Sequence, residues 1–182
     1  MGNQEPTFHF VSTWAEAEKL IAARDAFWVS ECGCRIGNEA GCKRSPTELC
    51  VAFSATELSQ PDQAREVPRS ELDALVAEYR RSLVARPFHS EKQPDGIGGI
   101  CFCCDDCCAY FLDPALPCDR GAMIETTDAA LCTACGTCVA VCHFGARAVS
   151  DGALAADADA CAGCGLCAEV CPTGAARMAA RA

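Results

Sequence analysis

Apolar residues recur at helical spacing in two stretches of the first half of the chain. In STWAEAEKLIAARDAF, Thr13 and Glu16 form the pattern of a capping box, which predicts a helix from about residue 14 to 26. In PRSELDALVAEYRRSLVARP, Ser70 is the predicted N-cap of a second amphipathic helix, with Asp73 three residues on. The apolar stripes of the two helices are Trp14, Ala17, Leu20, Ile21 and Ala23, and Leu72, Leu75, Val76, Tyr79 and Leu83.

The other segments before residue 120 have weaker patterns. AFWVSECGCR predicts a short strand, and Pro46 in RSPTELC predicts a short helix that begins behind Ser45. The polar stretches SATELSQPDQAREVP and SEKQPDGIGG predict surface loops. Two helices and a few short strands make a poor core for this length, so bound metal is expected to stabilise this part.

The last third of the chain repeats itself. LCTACGTCVAVCHFGA (131–146) aligns with ACAGCGLCAEVCPTGA (160–175) in four cysteines, a glycine, a valine and a Gly-Ala pair. Around the repeats, AMIETTD predicts a first strand and AARMAA a closing strand. Between them, ARAVSDGALAAD predicts a hairpin that turns at Asp151-Gly152.

Cysteine is the unusual component, with 18 among 182 residues. The N-terminal stretch does not have the basic region and apolar run of a signal peptide, and no apolar run is long enough to insert into a membrane. We therefore expect a cytoplasmic protein whose thiols bind metal, with a secreted disulfide knot as the alternative. The net charge of −10 argues against a nucleic-acid partner and predicts docking on a basic surface of a redox enzyme or electron-transfer protein.

Each repeat reads C-x2-C-x2-C-x3-C. A tight loop offers three thiols to one iron–sulfur cubane, and the fourth cysteine, one helical turn on, faces the neighbouring cluster. Gly136 and Gly165 are expected to let the backbone pass close to inorganic sulfide. Tandem zinc sites are the alternative, although zinc ligands usually come as separated C-x2-C pairs. The two predicted [4Fe-4S] ligand sets are Cys132, Cys135, Cys138 and Cys171, and Cys161, Cys164, Cys167 and Cys142.

This region, from about residue 122 to 182, resembles the bacterial two-[4Fe-4S] ferredoxins in every cysteine and in the gap between the motifs. The resemblance implies their pseudo-twofold α+β fold, with two clusters close together. One departure is His143, at the position that Pro172 takes in the second repeat. His143 is either a proton-coupled tuner of a cluster potential or a surface residue.

The cysteines before residue 120 exceed the needs of one site. Adjacent cysteines such as Cys103 and Cys104 diverge, so they are predicted to serve two centres on either side of the backbone. Cys118 is the first candidate for a spare thiol, and one structural zinc with unligated thiols is the alternative. The candidate ligands, for one or two further centres of the [4Fe-4S] type or with zinc, are Cys32, Cys34, Cys42, Cys50, Cys101, Cys103, Cys104, Cys107 and Cys108.

A second resemblance covers the whole chain. The order C-x-C-R, Cys, P-x-x-x-C, a helix, His89 and a C-x-C-C-x-x-C-C block before a ferredoxin module is similar to that of uncharacterised multi-cluster iron–sulfur proteins of anaerobes. The resemblance implies anaerobic electron transfer. Arg35, next to Cys34, either neutralises a thiolate cluster or is a plain surface arginine.

The predicted fold class is α+β. A small cysteine-rich, metal-stabilised α+β domain (1–120) precedes a dicluster ferredoxin domain (121–182). The predicted function is a low-potential, polyferredoxin-like electron carrier or electron-transfer subunit, and no catalytic residue is assigned. Two rivals remain: an iron–sulfur oxidoreductase with a substrate site at an N-terminal cluster, and a redox or oxygen sensor.

Overall fold

A five-stranded antiparallel sheet is the main element of the first two thirds of the chain. The computed structural model describes residues 8–39, 41–58, 61–113, 116 and 119–181. The strands are β1 (Phe27–Ser30), β2 (Cys50–Ala52), β3 (Arg65–Val67), β4 (Val84–His89) and β5 (Ile97–Cys103). Their order across the sheet is β3-β1-β2-β5-β4, and every pairing is antiparallel.

The α-helices described in this part are α1 (Trp14–Ala22), α2 (Gly33–Ile36), α3 (Arg69–Tyr79) and α4 (Ala109–Leu112). Of these, α1 and α3 supply the apolar side chains that cover one face of this sheet. The capping box of α1 is confirmed, since Thr13 Oγ1 accepts from the backbone N–H of Glu16 and the Glu16 carboxylate accepts from that of Thr13. The helix ends at Ala22, short of the predicted residue 26. The predicted cap of α3 is wrong: Pro68 is its N-cap, and Ser70 lies inside the first turn.

The core is larger than the sequence predicts. The segment expected to end the second helix forms β4, and the IGG of the predicted loop before the cysteines begins β5. Glycines fit this strand because β5 runs so close to β2 that a Cβ on Gly99 would lie 2.2 Å from the carbonyl oxygen of Val51. Trp14 and Phe102 are buried between sheet and helices, with ring centroids 5.0 Å apart.

Two further local predictions are wrong. Residues 46–49, directly after Ser45, are not helical, and β2 begins at Cys50. The predicted polar loop after Phe53 contributes β3, which pairs with β1 at the sheet edge. Both errors arise because short strands gain their stability from pairing with distant residues, which the local pattern does not report.

Alternation along the strands sorts the cysteines by face. Ile100 and Phe102 of β5 point to the helices, so Cys101 and Cys103 point to the opposite face. Cys50 of β2 and Arg86 of β4 are both in register with Cys101. A row of thiols and one arginine therefore crosses the face of the sheet away from the helices.

The C-terminal part has the predicted elements. Strand β6 (Met123–Thr127) pairs with β9 (Ala176–Ala180), and β7 (Arg147–Ser150) pairs with β8 (Ala153–Ala156). The hairpin turns at Asp151-Gly152, where both residues have positive φ. Short helices α5 (Thr137–Ala140) and α6 (Leu166–Val170) follow the two cysteine loops. The mixed α+β class with a ferredoxin-like C-terminal part is confirmed.

The two parts share one hydrophobic core. Leu166 is fully buried in the same cluster of side chains as Trp14 and Phe102. Arg80, at the end of α3, forms an ion pair with Glu169 of α6. The boundary at residue 120 stays a prediction, but the contacts across it are extensive. Within the described ranges, no helix has the length and apolar character that crossing a bilayer requires.

Candidate metal centres

The eight cysteines of the two repeats line two separate cavities. Each cavity takes three cysteines from one repeat and the fourth from the other, so each group of sulfurs combines both repeats. One cavity is lined by Cys142, Cys161, Cys164 and Cys167, and the other by Cys132, Cys135, Cys138 and Cys171. Four thiol donors around each cavity fit a [4Fe-4S] cluster.

In both cysteine loops a glycine caps the helix that follows. Gly136 and Gly165 each have φ of +77° and are the N-caps of α5 and α6. That left-handed conformation is the observed reason for glycine at these positions. Gly163 is constrained further, because its φ is +86° and a Cβ there would lie 2.2 Å from the carbonyl oxygen of Met123.

We therefore expect Gly163→Ala to destabilise the protein by more than about 2 kcal/mol, through strain at positive φ and collision with β6. Thermal unfolding of the anaerobic protein measures the loss. The matched control is Ala134→Gly, because Ala134 takes the equivalent position of the first repeat and already has φ of +51°. A Gly163→Ala protein as stable as its parent would show that the loop can move away from Met123.

The two C-terminal cavities differ in exposure. Cys161, Cys164 and Cys167 are buried, and burial raises the pKa of Cys164 to about 12. In the other set Cys135 is exposed, and the backbone N–H of Ala176 lowers the pKa of Cys171 to about 7. The set that contains Cys135 and Cys171 is therefore the solvent-facing one.

Arg147 lies between the two sets and lines both cavities. Its guanidinium is buried, pairs with Glu125 and donates to Thr127 Oγ1 at 2.9 Å. A fixed cation beside thiolates favours the more negative state of whatever they bind. The ion pair with Glu125 explains how an arginine is held in this buried position.

In the N-terminal part, six cysteines form a ring in which the pKa of each thiol is shifted by its two neighbours. Around the ring the order is Cys32, Cys34, Cys108, Cys103, Cys101 and Cys50. We call these residues the six-thiol ring. They line a cavity of about 710 Å³. Cys50 and Cys101, which pair across β2 and β5, have sulfurs 3.4 Å apart.

Two basic side chains that the sequence reasoning did not single out face this ring. Arg86 is buried, its Nη1 lies 3.3 Å from the sulfur of Cys108 and 3.8 Å from that of Cys103, and its guanidinium stacks on Tyr110. His9 Nε2 lies 3.5 Å from the sulfur of Cys101. Burial, followed by the charge of Arg86, lowers the pKa of His9 to about 4, so the imidazole is neutral at pH 7. Arg86 could have been found from the sequence, because it is a charged residue inside the otherwise apolar run LVARPF.

The remaining three N-terminal cysteines of the described ranges form a second, smaller group. Cys42, Cys104 and Cys107 bring their sulfurs together with the carboxylate of Asp106, and all four ligand atoms lie within 4.8 Å of one another. We call these four residues the compact group. Asp106 was not predicted from the sequence. Cys118, the predicted spare thiol, lies outside the described residues.

Adjacent cysteines divide between the two groups. Cys103 belongs to the six-thiol ring and Cys104 to the compact group, and Cys108 and Cys107 divide in the same way. Both groups therefore draw on the 101–108 loop and on the 32–50 stretch. Arg35, which the sequence left open, is not a surface residue: it is 3% exposed and its Nη2 lies 3.9 Å from the sulfur of Cys104.

His143 connects the two parts of the chain. Its side chain is 2% exposed, so the surface alternative is wrong. Nδ1 lies 3.1 Å from Oδ1 of Asp105, and Nε2 donates to the carbonyl oxygen of Ser82 at 2.7 Å. His143 follows Cys142 and Asp105 follows Cys104, so this contact joins a C-terminal thiol set to the compact group.

Comparison with known proteins adds one finding. A family model described as a 4Fe-4S dicluster domain matches residues 131–176. A search among curated proteins gives no match. The matched segment contains both cysteine repeats and every residue of the two C-terminal thiol sets. Residues 131–176 are therefore a ferredoxin-like iron–sulfur module, and this module gives the protein an iron–sulfur electron-transfer role.

Proposed function

We propose that this protein is a polyferredoxin-like electron carrier, or an electron-transfer subunit, of the cytoplasm of an anaerobe. Clusters held by the cysteines supply reversible one-electron chemistry. The observation that carries the proposal is the order of the thiol groups. The six-thiol ring takes Cys101, Cys103 and Cys108 from the 101–108 loop, His143 joins that loop to the buried C-terminal set, and the exposed C-terminal set lies beyond it.

The chain's own residues prepare these sites in two ways. Arg86 and Arg147 are buried cations beside thiols, so they offset the negative charge that gathers where several thiolates meet. The shared core around Leu166 fixes the distance between the two parts, which a flexible linker would leave variable. A fixed distance suits transfer within one molecule, and the exposed Cys135 side suits transfer to a partner.

The direct test is anaerobic reduction of the full chain followed by mixing with an acceptor protein. A carrier exchanges electrons within the mixing time and shows no turnover of a small substrate without such an acceptor. If the reduced protein transfers no electrons to any of a panel of basic redox proteins, the carrier function is wrong.

Docking on such a partner is expected to be electrostatic because the chain carries a net charge of −10. The second-order rate constant with a small basic haem protein should fall steeply as ionic strength rises past ~0.15 M, where the Debye length is about 8 Å. Stopped-flow absorbance measures it, with an acidic acceptor as the control. A rate independent of salt would instead indicate an apolar interface and a permanent complex.

One observation favours a second candidate, an iron–sulfur oxidoreductase. The cavity at the six-thiol ring has a volume of about 710 Å³, within the range of small-molecule sites. Apolar side chains, among them Leu58, Phe88 and Tyr110, line it beside the thiols. Turnover of small disulfides or apolar substrates by the isolated, chemically reduced protein would favour this enzyme over the carrier.

A further inference from the structure

We propose that the compact group, Cys42, Cys104, Cys107 and Asp106, is a mononuclear zinc site, chemically separate from the iron–sulfur centres. It is a binding site in its own right and does not depend on the carrier function. Zinc is the ion of choice because three thiolates and one carboxylate form a soft, four-donor set of the kind that structural zinc sites use.

The sulfur separations carry the argument. The sulfur of Cys104 lies 3.6 Å from that of Cys42 and 3.2 Å from that of Cys107. Thiolates on one tetrahedral zinc, at Zn–S of about 2.3 Å, are roughly 3.8 Å apart. Thiolates on a cubane are farther apart, because each binds a different iron atom. The compact group therefore has the spacing of a single ion.

The C-terminal cysteines give the contrast within the same chain. Among the eight cysteines of the two repeats, all of which the structure describes, no sulfur–sulfur hydrogen bond is formed. Their sulfurs stand around a cavity instead. The six-thiol ring has one close pair, Cys50 and Cys101 at 3.4 Å, but its six thiols line a cavity, whereas the compact group brings all four of its ligand atoms within 4.8 Å of one another.

Asp106 presents its carboxylate as a single-oxygen ligand. Its Oδ2 accepts the backbone N–H of Lys43 at 2.8 Å, which fixes the orientation of the group. Its Oδ1 faces the sulfurs, 2.8 Å from Cys104 and 3.6 Å from Cys42. The side-chain Nδ2 of Asn38 donates a hydrogen bond to the backbone carbonyl oxygen of Asp106 at 3.0 Å. Such outer contacts are typical of residues that bind a metal.

The negative charge of the proposed zinc site has a nearby positive partner. On binding Zn²⁺, the three thiols release their protons to solvent, and the ion with three thiolates and one carboxylate has a net charge of −2. Arg35 provides a buried positive charge near Cys104, and donates to the carbonyl oxygen of Phe102 and to Ser45 Oγ. One cation therefore offsets half of the charge of the site in its buried position.

The site lies where it can hold the two parts of the chain together. Asp105, between Cys104 and Asp106, contacts both Arg44 and His143. An ion that fixes the 104–107 loop against Cys42 also fixes the loop surface on which the C-terminal module packs. Zinc is redox-inert, so the site has this structural role beside centres that change charge.

The test uses the full chain, purified without oxygen from cells supplied with both iron and zinc. We expect about one zinc per chain. X-ray absorption at the zinc edge should show about three sulfurs at ~2.3 Å and one oxygen at ~2.0 Å. Cys42→Ser should remove the zinc and leave the iron content unchanged. Asp106→Ala should lower the chelator concentration that strips zinc by about tenfold.

Asp105→Asn is the matched control, because Asp105 lies in the same loop but outside the compact group. This variant should keep its bound zinc. If the protein contains no zinc and Cys42→Ser removes iron, the compact group binds an iron–sulfur cluster and the proposal is wrong. A four-sulfur zinc shell that Asp106→Ala leaves unchanged would remove Asp106 from the site. Electron paramagnetic resonance of the reduced C-terminal clusters tests the carrier function independently of the zinc site.

Discussion

Replacing Cys171 by Ala is expected to remove the iron–sulfur cluster of the first repeat, although Cys171 belongs to the second. The reason is that Cys171 lines the cavity of Cys132, Cys135 and Cys138. The variant should lose about four iron atoms and the electron paramagnetic resonance signal of one cluster. Its remaining spectrum should match that of Cys135→Ala.

The reciprocal variant is the control. Cys142→Ala should give the spectrum of Cys164→Ala, because both residues line the other cavity. The double variant Cys135→Ala/Cys171→Ala should lose no more iron than either single variant, since both remove the same cluster. A Cys171→Ala spectrum identical to that of Cys164→Ala would refute the grouping across repeats.

The second large effect concerns the six-thiol ring, which we expect to hold iron and sulfide. Serine at Cys32, Cys34, Cys50 and Cys101 leaves two ring thiols, too few for a [4Fe-4S] cluster. With one cluster in the ring and two in the ferredoxin-like module, iron should fall from about twelve to about eight atoms per chain. Anaerobic iron and sulfide analysis measures the change.

Cys42→Ser is the matched control, because Cys42 comes from the same stretch but belongs to the compact group. It should keep all of the iron. The resonance signals of the C-terminal clusters should persist in both variants, which separates loss of one centre from general unfolding. If the parent protein holds no more than about eight iron atoms and the ring variant holds the same, the ring does not bind an iron–sulfur cluster.

The ferredoxin-like part could be predicted because its information is local. The C-x2-C-x2-C-x3-C spacing places three thiols on one loop and the fourth one helical turn on, with no dependence on distant residues. Asp151-Gly152 likewise determines its own turn through positive φ. The four strands, β6 to β9, therefore appear where the sequence predicts them.

The N-terminal part could not be predicted to the same depth, because its decisive contacts are non-local. The run VARP ends a predicted helix by its local pattern, yet it forms β4 together with Phe88 and His89, since pairing with β5 and burial outweigh local preference. Gly99 resembles a loop residue in sequence and is a strand residue in the fold, because β2 passes too close for a side chain.

The sequence by itself determined that the chain binds metal through thiols and that adjacent cysteines must diverge. Only the tertiary structure decided which thiols meet. Alternation along β5 sends Cys101 and Cys103 to one face, and the loop after it turns Cys104 and Cys107 toward Cys42. Burial of Arg35, Arg86 and His143 was also decided by the tertiary structure, because a polar side chain enters a core only where distant residues supply its partners.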